Sequence, residues 1–175
     1  MWTKELFKKI NIVLGKIEKI ILVIGINLLF VILIINVIGR EIGKSLYFVD
    51  EIASVLMIWI TAVGVSYAVR EGRHIRMSAA FDSAPIKLKR IMIFVSSTIS
   101  AGVMFFLSYV SVNYICQVYH YQRMSITMGI PLWIYIIIVP VGFFLAGLNY
   151  VLTIIKNIQI KEEVWVSYER KNEYE

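Results

Sequence analysis

Charge and chemically reactive side chains are scarce in this sequence. Only 17% of the 175 residues are charged and 59% are hydrophobic, whereas a soluble domain usually carries about a quarter of charged residues. The single cysteine, Cys116, excludes an internal disulfide and paired-thiol redox chemistry, and we expect it to pack near a helix end. This composition excludes an ordinary water-soluble domain.

Four long segments carry no charged residue, namely 20–39, 52–69, 91–119 and 125–155. A helix needs roughly 20 apolar residues to cross a hydrocarbon core about 30 Å thick. The sequence therefore predicts an all-α integral membrane protein that forms a single domain over residues 1–160, followed by a charged, solvated cytoplasmic tail over 161–175. The four predicted transmembrane helices are 20–39, 52–69, 91–112 and 130–155.

A cleaved signal peptide is an alternative interpretation of the first apolar run. A signal peptide has an apolar core of about 7–15 residues and a small-residue cleavage site. Here the run is longer, follows a leader of 19 residues, and ends in the letters NVIGRE without the A-x-A pattern. We therefore expect a retained helix.

Lysine and arginine are distributed unevenly among the segments between the predicted helices. Of the 18, all but three lie in the N-terminal leader, the loop after the second helix and the C-terminal tail; the exceptions are Arg40, Lys44 and Arg123. By the positive-inside rule both termini are cytoplasmic, and the loops at 40–51 and 120–129 face outward. This distribution explains the net charge of +6, so we expect contact with membrane lipids and no nucleic-acid partner.

The leader, residues 2–18, has apolar residues at spacings of three and four, and most of its lysines lie outside that stripe. A basic amphipathic helix beside a transmembrane helix typically lies in the membrane interface, although docking on a partner protein would give the same pattern. A shorter interfacial helix is predicted over residues 75–81, with Ser83 as the N-cap of the helix that follows.

No charged residue falls near the predicted middle of the membrane, where such a residue usually marks an ion or substrate path. Asp50 and Glu51 precede the second helix at the outer surface. Arg70 ends the same helix at the inner surface, where we expect its side chain to snorkel to water. Small residues in the apolar runs, such as Gly64, are interpreted as a helix-packing surface rather than a transport pathway.

The two histidines, His74 and His120, are predicted at opposite membrane surfaces, so they cannot jointly hold a haem or a metal between the helices. Ser-His-Asp arrangements, glycine-rich phosphate loops and clustered metal ligands are missing from the sequence, so we expect neither an enzyme nor a bound cofactor. Pro131 is predicted in the first turn of the fourth helix, and Pro140 is predicted to kink it.

Two stretches carry residues in a recognisable order. In the first stretch, over 36–77, these residues are Asn36, Gly39, Arg40, Phe48, Glu51, Trp59, Gly64, Ala68, Arg70, Gly72, Arg73, His74 and Ile75. In the second stretch, over 128–143, they are Ile130, Pro131, Trp133, Pro140, Val141 and Gly142. In this order and spacing they resemble the DctQ-type small membrane subunit of tripartite ATP-independent periplasmic (TRAP) transporters.

The resemblance implies a scaffold subunit in the bacterial inner membrane. Its partners would be a large multi-span subunit, which binds substrate and sodium and moves them by an elevator motion, and a periplasmic substrate-binding protein. That protein would deliver a carboxylate such as a C4-dicarboxylate or a sialic acid, and sodium would bind in the large subunit only. The alternatives are a self-contained small oligomeric transporter, which would need an intramembrane acid, or the membrane anchor of a redox complex, which would need a histidine within the helices.

The charged residues of the first outer loop have two interpretations. Arg40, Lys44, Asp50 and Glu51 are candidates for docking the binding protein. Alternatively, Arg40 and Glu51 pair with each other at the helix ends.

Overall fold

The computed structural model describes residues 2–43, 47–72 and 86–159. The helices within these ranges are α1 (Trp2–Glu41), α2 (Tyr47–Arg70), α3 (Ile86–His120), α4 (Leu132–Ile136) and α5 (Ile138–Gln159). Within the described ranges the only pairing of extended backbone is an isolated bridge between Met124 and Pro131, which confirms the all-α fold class. The predicted helix over 75–81 and residues Lys44, Arg73, His74 and Ser83 lie outside these ranges, as does the tail over 161–175.

In the part of the chain that the structure describes, four helical segments are long and apolar enough to cross a membrane, as the charge-free runs predict. They are Ile12–Glu41, Phe48–Arg70, Leu88–His120 and Leu132–Ile158. The last of them consists of α4 and α5 together. We refer to them as the first to fourth spans.

Helix α1 runs without interruption for 40 residues. This gives a length of about 60 Å, twice the thickness of a hydrocarbon core of about 30 Å. No proline lies within it, since the three prolines are Pro85, Pro131 and Pro140. The predicted interfacial helix over 2–18 is therefore the N-terminal part of the same helix as the first span, and its position in the membrane interface stays a prediction.

The four spans pack in a row rather than around a common centre. Helix α1 packs against α2, α2 packs against α5, and α5 packs against α3. Among the described residues, α1 thus lies at one edge of the row and α3 at the other. Only 6% of the first span is buried inside the chain, against 33% of the fourth. Most of the apolar surface of the first span is therefore open to lipid or to another protein.

Small residues bring the middle of the row into close contact. Ala146 of α5 has no exposed surface and packs with Val69 of α2 and with Ala101 of α3. One turn earlier, Gly142 lies so close to α2 that a Cβ atom there would be 2.5 Å from the carbonyl oxygen of Ala62. Without a hydrophobic driving force between helices in lipid, such close backbone packing is a main source of helix association.

The fourth span is interrupted at Ile137, between α4 and α5. Pro140 has no N–H to donate to the carbonyl group of Ile136, and its ring would collide with that carbonyl in a regular helix. The interruption confirms that the proline breaks the regularity of this span. Pro131 is the N-cap residue of α4, immediately before the helix and not within its first turn as predicted.

We expect Gly142→Ala to lower the free energy of unfolding by about 1–3 kcal/mol, because the added methyl group has no space against α2. The control is Gly102→Ala in α3, where an added Cβ meets no described atom within 4 Å. Reversible unfolding in detergent micelles measures both variants. Equal stability of the two would contradict the close contact of α2 with α5.

Candidate functional site

Polar contacts between the helices lie at the two ends of the spans and beside the break in the fourth span. We call the end with Arg70, Lys89 and Asn157 the basic end, and the end with Arg40, Asp50 and Glu51 the loop end. Because successive spans run in opposite directions, each end brings together residues of different spans.

At the basic end, Glu18 of α1 binds two residues of α2, and we call Glu18, Ser66 and Arg70 the Glu18 cluster. Ser66 and Arg70 are four residues apart and so lie on one face of α2. The hydroxyl of Ser66 donates to Oε1 of Glu18 over 2.7 Å, and Nε of Arg70 donates to Oε2 over 2.9 Å. A second guanidinium nitrogen, Nη2, donates to Oε1 over 3.2 Å. The carboxylate therefore receives three hydrogen bonds, two of them from a guanidinium.

The Glu18 cluster is withdrawn from solvent. The side chains of Arg70 and Glu18 are 1% and 7% exposed. The prediction that the Arg70 side chain snorkels to water is therefore wrong. Its guanidinium binds the Glu18 carboxylate of α1, and both groups are withdrawn from water. Gly15 makes room for this arrangement, since a Cβ there would lie 3.0 Å from Cδ of Arg70.

Sequence reasoning missed Glu18. It is the only acidic residue between Glu5 and Glu41, within a leader rich in lysine. The isolation of this one acid among lysines is the feature of the sequence that could have drawn attention to it. It does not indicate a partner 52 residues away on another helix.

At the loop end, Asn36 and Arg40 of α1 both reach Asp50 in the first turn of α2, and we call these three residues the Asp50 cluster. The amide of Asn36 donates to Oδ1 of Asp50 over 2.8 Å, and Nη2 of Arg40 lies 3.1 Å from Oδ2. The alternative that Arg40 pairs with Glu51 is thus wrong, because the adjacent acid faces it. Unlike the pair at the basic end, the Arg40 and Asp50 side chains are 58% and 56% exposed.

Glu51 instead holds the second loop of the loop end. Its Oε2 accepts a hydrogen bond from the backbone N–H of Met128 over 3.2 Å. The same N–H lies 3.0 Å from the hydroxyl of Ser125, whose own N–H donates to the carbonyl of Ile130. These bonds fold residues 121–131 into a compact loop with Ile126 fully exposed at its tip.

The interruption of the fourth span is also fixed by polar contacts. Nε1 of Trp59 in α2 donates to the carbonyl of Tyr135 over 2.9 Å, two residues before the break. The buried hydroxyl of Ser108 in α3 donates to the carbonyl of Pro140 over 3.0 Å. Trp133 packs edge to face on Tyr119 at 6.0 Å between ring centroids. The broken span is thus held from both neighbouring helices.

Comparison with known proteins identifies the family. Residues 29–160 match the family model for tripartite ATP-independent periplasmic transporters, DctQ component. The chain belongs to the DctQ family. It is 41% identical over 154 residues to the ectoine TRAP transporter small permease protein TeaB of Halomonas elongata, a match that covers 87% of this chain and 80% of the relative. The C4-dicarboxylate TRAP transporter small permease protein DctQ of Rhodobacter capsulatus is 24% identical over 102 residues, which cover 57% of this chain and 44% of that relative.

The resemblance noted in the sequence is thereby confirmed: this is a TRAP small permease subunit, a multi-pass protein of the bacterial inner membrane and not an enzyme. TRAP small subunits work with a large membrane subunit and a substrate-binding protein. In the part of the chain that the structure describes, no three His, Cys, Asp or Glu side chains converge as metal ligands.

The candidate residues singled out in the sequence lie in different parts of the structure. Asn36, Arg40 and Asp50 meet at the loop end, where Glu51 binds Met128, and Arg70 lies at the basic end. Trp59, Pro131, Trp133 and Pro140 surround the interrupted span. Gly64 faces α1, where a Cβ would contact Leu22 at 3.7 Å.

We expect Arg70→Met and Glu18→Gln each to destabilise the protein by about 3–5 kcal/mol, because each leaves one buried charge without its partner. The double variant should be less destabilised than the sum of the two, since neither charge remains. Chemical unfolding in micelles of all four proteins gives the coupling free energy. The control cycle is Arg40→Met with Asp50→Asn, an exposed pair for which about 0–1 kcal/mol is expected; equal coupling in the two cycles would contradict the burial of the Glu18 cluster.

We expect Glu51→Met to speed hydrogen exchange at the amide of Met128 about two- to tenfold, which corresponds to losing a hydrogen bond of about 0.5–1.5 kcal/mol. Mass spectrometry of peptides from residues 121–131 measures the exchange. Asp50→Asn is the matched control, because Asp50 lies on the same turn of α2 and binds α1 instead. If both variants exchange at the rate of the unaltered chain, Glu51 does not hold the loop.

Proposed function

We propose that this TRAP small subunit is the stationary scaffold of a sodium-coupled transporter. In this role it widens the fixed part of a large elevator-type subunit, which binds the sodium ions and the solute and carries them across the membrane. A periplasmic binding protein delivers the solute to the pair.

The observation that carries this proposal is the combination of a fixed interior with an open apolar face. Polar clusters at both ends join the first span to the second, and a close backbone contact in the middle joins the second span to the fourth. Along α1, by contrast, large side chains such as Ile24, Phe30 and Val37 are 60% exposed or more. A row of spans locked together in this way offers a broad, rigid surface for a larger membrane partner.

The orientation belongs to the same proposal. With most lysine and arginine residues in the leader, the loop after α2 and the tail, both termini lie in the cytoplasm. The loop end then faces the periplasm. Arg40 and Asp50 are both more than half exposed there, beside the loop held by Glu51. We propose this surface as the contact for the binding protein, since exposed charges accelerate and orient association.

For the solute, we propose a small organic molecule that carries a carboxylate. The two relatives are named for ectoine and for C4-dicarboxylates, which share that group. The 41% identical relative makes ectoine the first solute to assay, ahead of dicarboxylates and sialic acid.

We expect this chain and the large subunit to copurify, and uptake in liposomes to require both subunits, the binding protein and an inward sodium gradient. The measurement is uptake of labelled solute with each component omitted in turn. Uptake by this chain alone would establish the self-contained transporter instead, and full uptake without it would contradict the scaffold. A haem or quinone spectrum in the purified chain would favour the redox anchor.

One arm of the same assay concerns docking. Arg40→Glu should weaken uptake while the two membrane subunits still copurify, and the loss should shrink as salt rises. The control is Arg123→Glu, which makes the same change of charge in the other loop of the loop end. A loss of uptake in Arg40→Glu alone would indicate a contact through Arg40, and an equal loss in both would indicate a general effect of charge. Unchanged uptake in Arg40→Glu at every salt concentration would contradict docking at the Asp50 cluster.

A further inference from the structure

A cavity at the basic end lies away from the Glu18 cluster, between α3 and α5. Its volume is about 370 Å³, and it is lined by Arg90, Ile91 and Phe94 of α3 and by Asn157 and Ile158 of α5. This is within the range of ligand pockets, about 300–1,000 Å³. The function proposed above does not involve this cavity, and none of its lining residues is a family landmark.

The lining divides into a polar and an apolar part. Arg90 lies in the first turns of α3 and Asn157 in the last turn of α5, so both stand at the membrane boundary of their spans. Ile91, Phe94 and Ile158 are 58%, 45% and 60% exposed, and their side chains face away from the protein interior. A ligand with a polar head and an apolar body fits this division.

Arg90 is the charged side chain among the lining residues, so the charge that faces the cavity is positive. Lys89 and Lys156 lie at the same ends of α3 and α5, and their side chains point about 100° around the helices from those of Arg90 and Asn157. The N-terminus of α3, whose helix dipole is positive, lies at the same end. In the described part of the chain, no carboxylate lines the cavity.

We propose that this cavity binds an anionic phospholipid, with the phosphate at Arg90 and Asn157 and the start of an acyl chain along Phe94 and Ile158. A guanidinium has five N–H donors in a planar fork that matches phosphate oxygens, so Arg90 can bind the lipid in addition to its contacts within the chain. Basic pockets between transmembrane helices suit anionic headgroups for this reason. The lipid comes from the cytoplasmic leaflet if the orientation proposed above holds, and from the other leaflet if it does not.

A free phosphate ion is a poorer occupant. It would contact only the polar part of the lining and leave the three exposed apolar side chains uncovered. A bound lipid covers both parts and spans the seam between α3 and α5. It would thereby tie the edge helix α3 to the rest of the row.

Native mass spectrometry of the full chain, purified in detergent, tests the proposal with phosphatidylglycerol and phosphatidylcholine as probes. We expect phosphatidylglycerol to be retained and phosphatidylcholine to be lost. Arg90→Gln should weaken retention about tenfold, as the loss of one charge-assisted hydrogen bond would give. Arg123→Gln, which removes one arginine at the loop end, should retain the lipid like the unaltered chain.

Asn157→Asp is a second test, made at a different residue, so it does not depend on whether Arg90→Gln folds. It places a carboxylate inside the cavity, which should repel the phosphate. Equal retention of both lipids, or undiminished retention of phosphatidylglycerol in both cavity variants, would overturn the proposal. Displacement of the lipid by millimolar inorganic phosphate would indicate a free-anion site instead. A photoreactive group at position 94 that labels the large subunit in place of lipid would indicate a protein contact.

Discussion

The buried ion pair between Glu18 and Arg70 determines how α1 can sit on the rest of the protein. In lipid, apolar side chains do not prefer another helix to the acyl chains around them, so hydrophobicity alone gives α1 no preferred face. A carboxylate and a guanidinium withdrawn from water do have a preference, because separating them would leave two uncompensated charges. They fix both the rotation of α1 about its axis and its height against α2.

A second contact lies on the same face of α1. Asn36, which binds Asp50 at the loop end, lies 18 residues beyond Glu18. That separation is about five helical turns, so the two contacts lie on the same face of α1, about 27 Å apart.

The two ends of the row differ in the dielectric environment of their ion pairs. At the loop end the Arg40–Asp50 pair is more than half exposed, so it is screened and contributes little to stability. It remains available to a partner for the same reason. At the basic end the Glu18–Arg70 pair is inaccessible to solvent, and it fixes the position of α1 against α2. A protein that is fixed at one surface and chemically accessible at the other is suited to the role we propose, in which a rigid subunit holds the large membrane subunit and meets the binding protein.

Much of the fold could be predicted from the sequence because membrane insertion depends on local composition. The four charge-free runs predicted four spans, and Pro140 predicted the irregularity of the fourth, since both effects act within a few residues. The partners of the charges could not be obtained in this way. Arg70 was expected to reach water because it ends the second predicted span; its partner, Glu18, was predicted in a separate interfacial helix. Arg40 was paired with the wrong acid because Asp50 and Glu51 are neighbours in sequence but point about 100° apart around α2.

By itself, the sequence determined the class of the protein, the number of its spans, the place where the fourth is broken, and the family landmarks, because each of these is written in short-range composition and order. The tertiary structure decided which acid faces which arginine, that α1 continues unbroken, that Gly142 meets the backbone of Ala62, and that α3 and α5 leave a cavity lined by Arg90 between them. These features depend on which helix faces meet. In a protein whose helices are apolar nearly all round, that choice is made by a few polar contacts and close approaches between residues far apart in the chain.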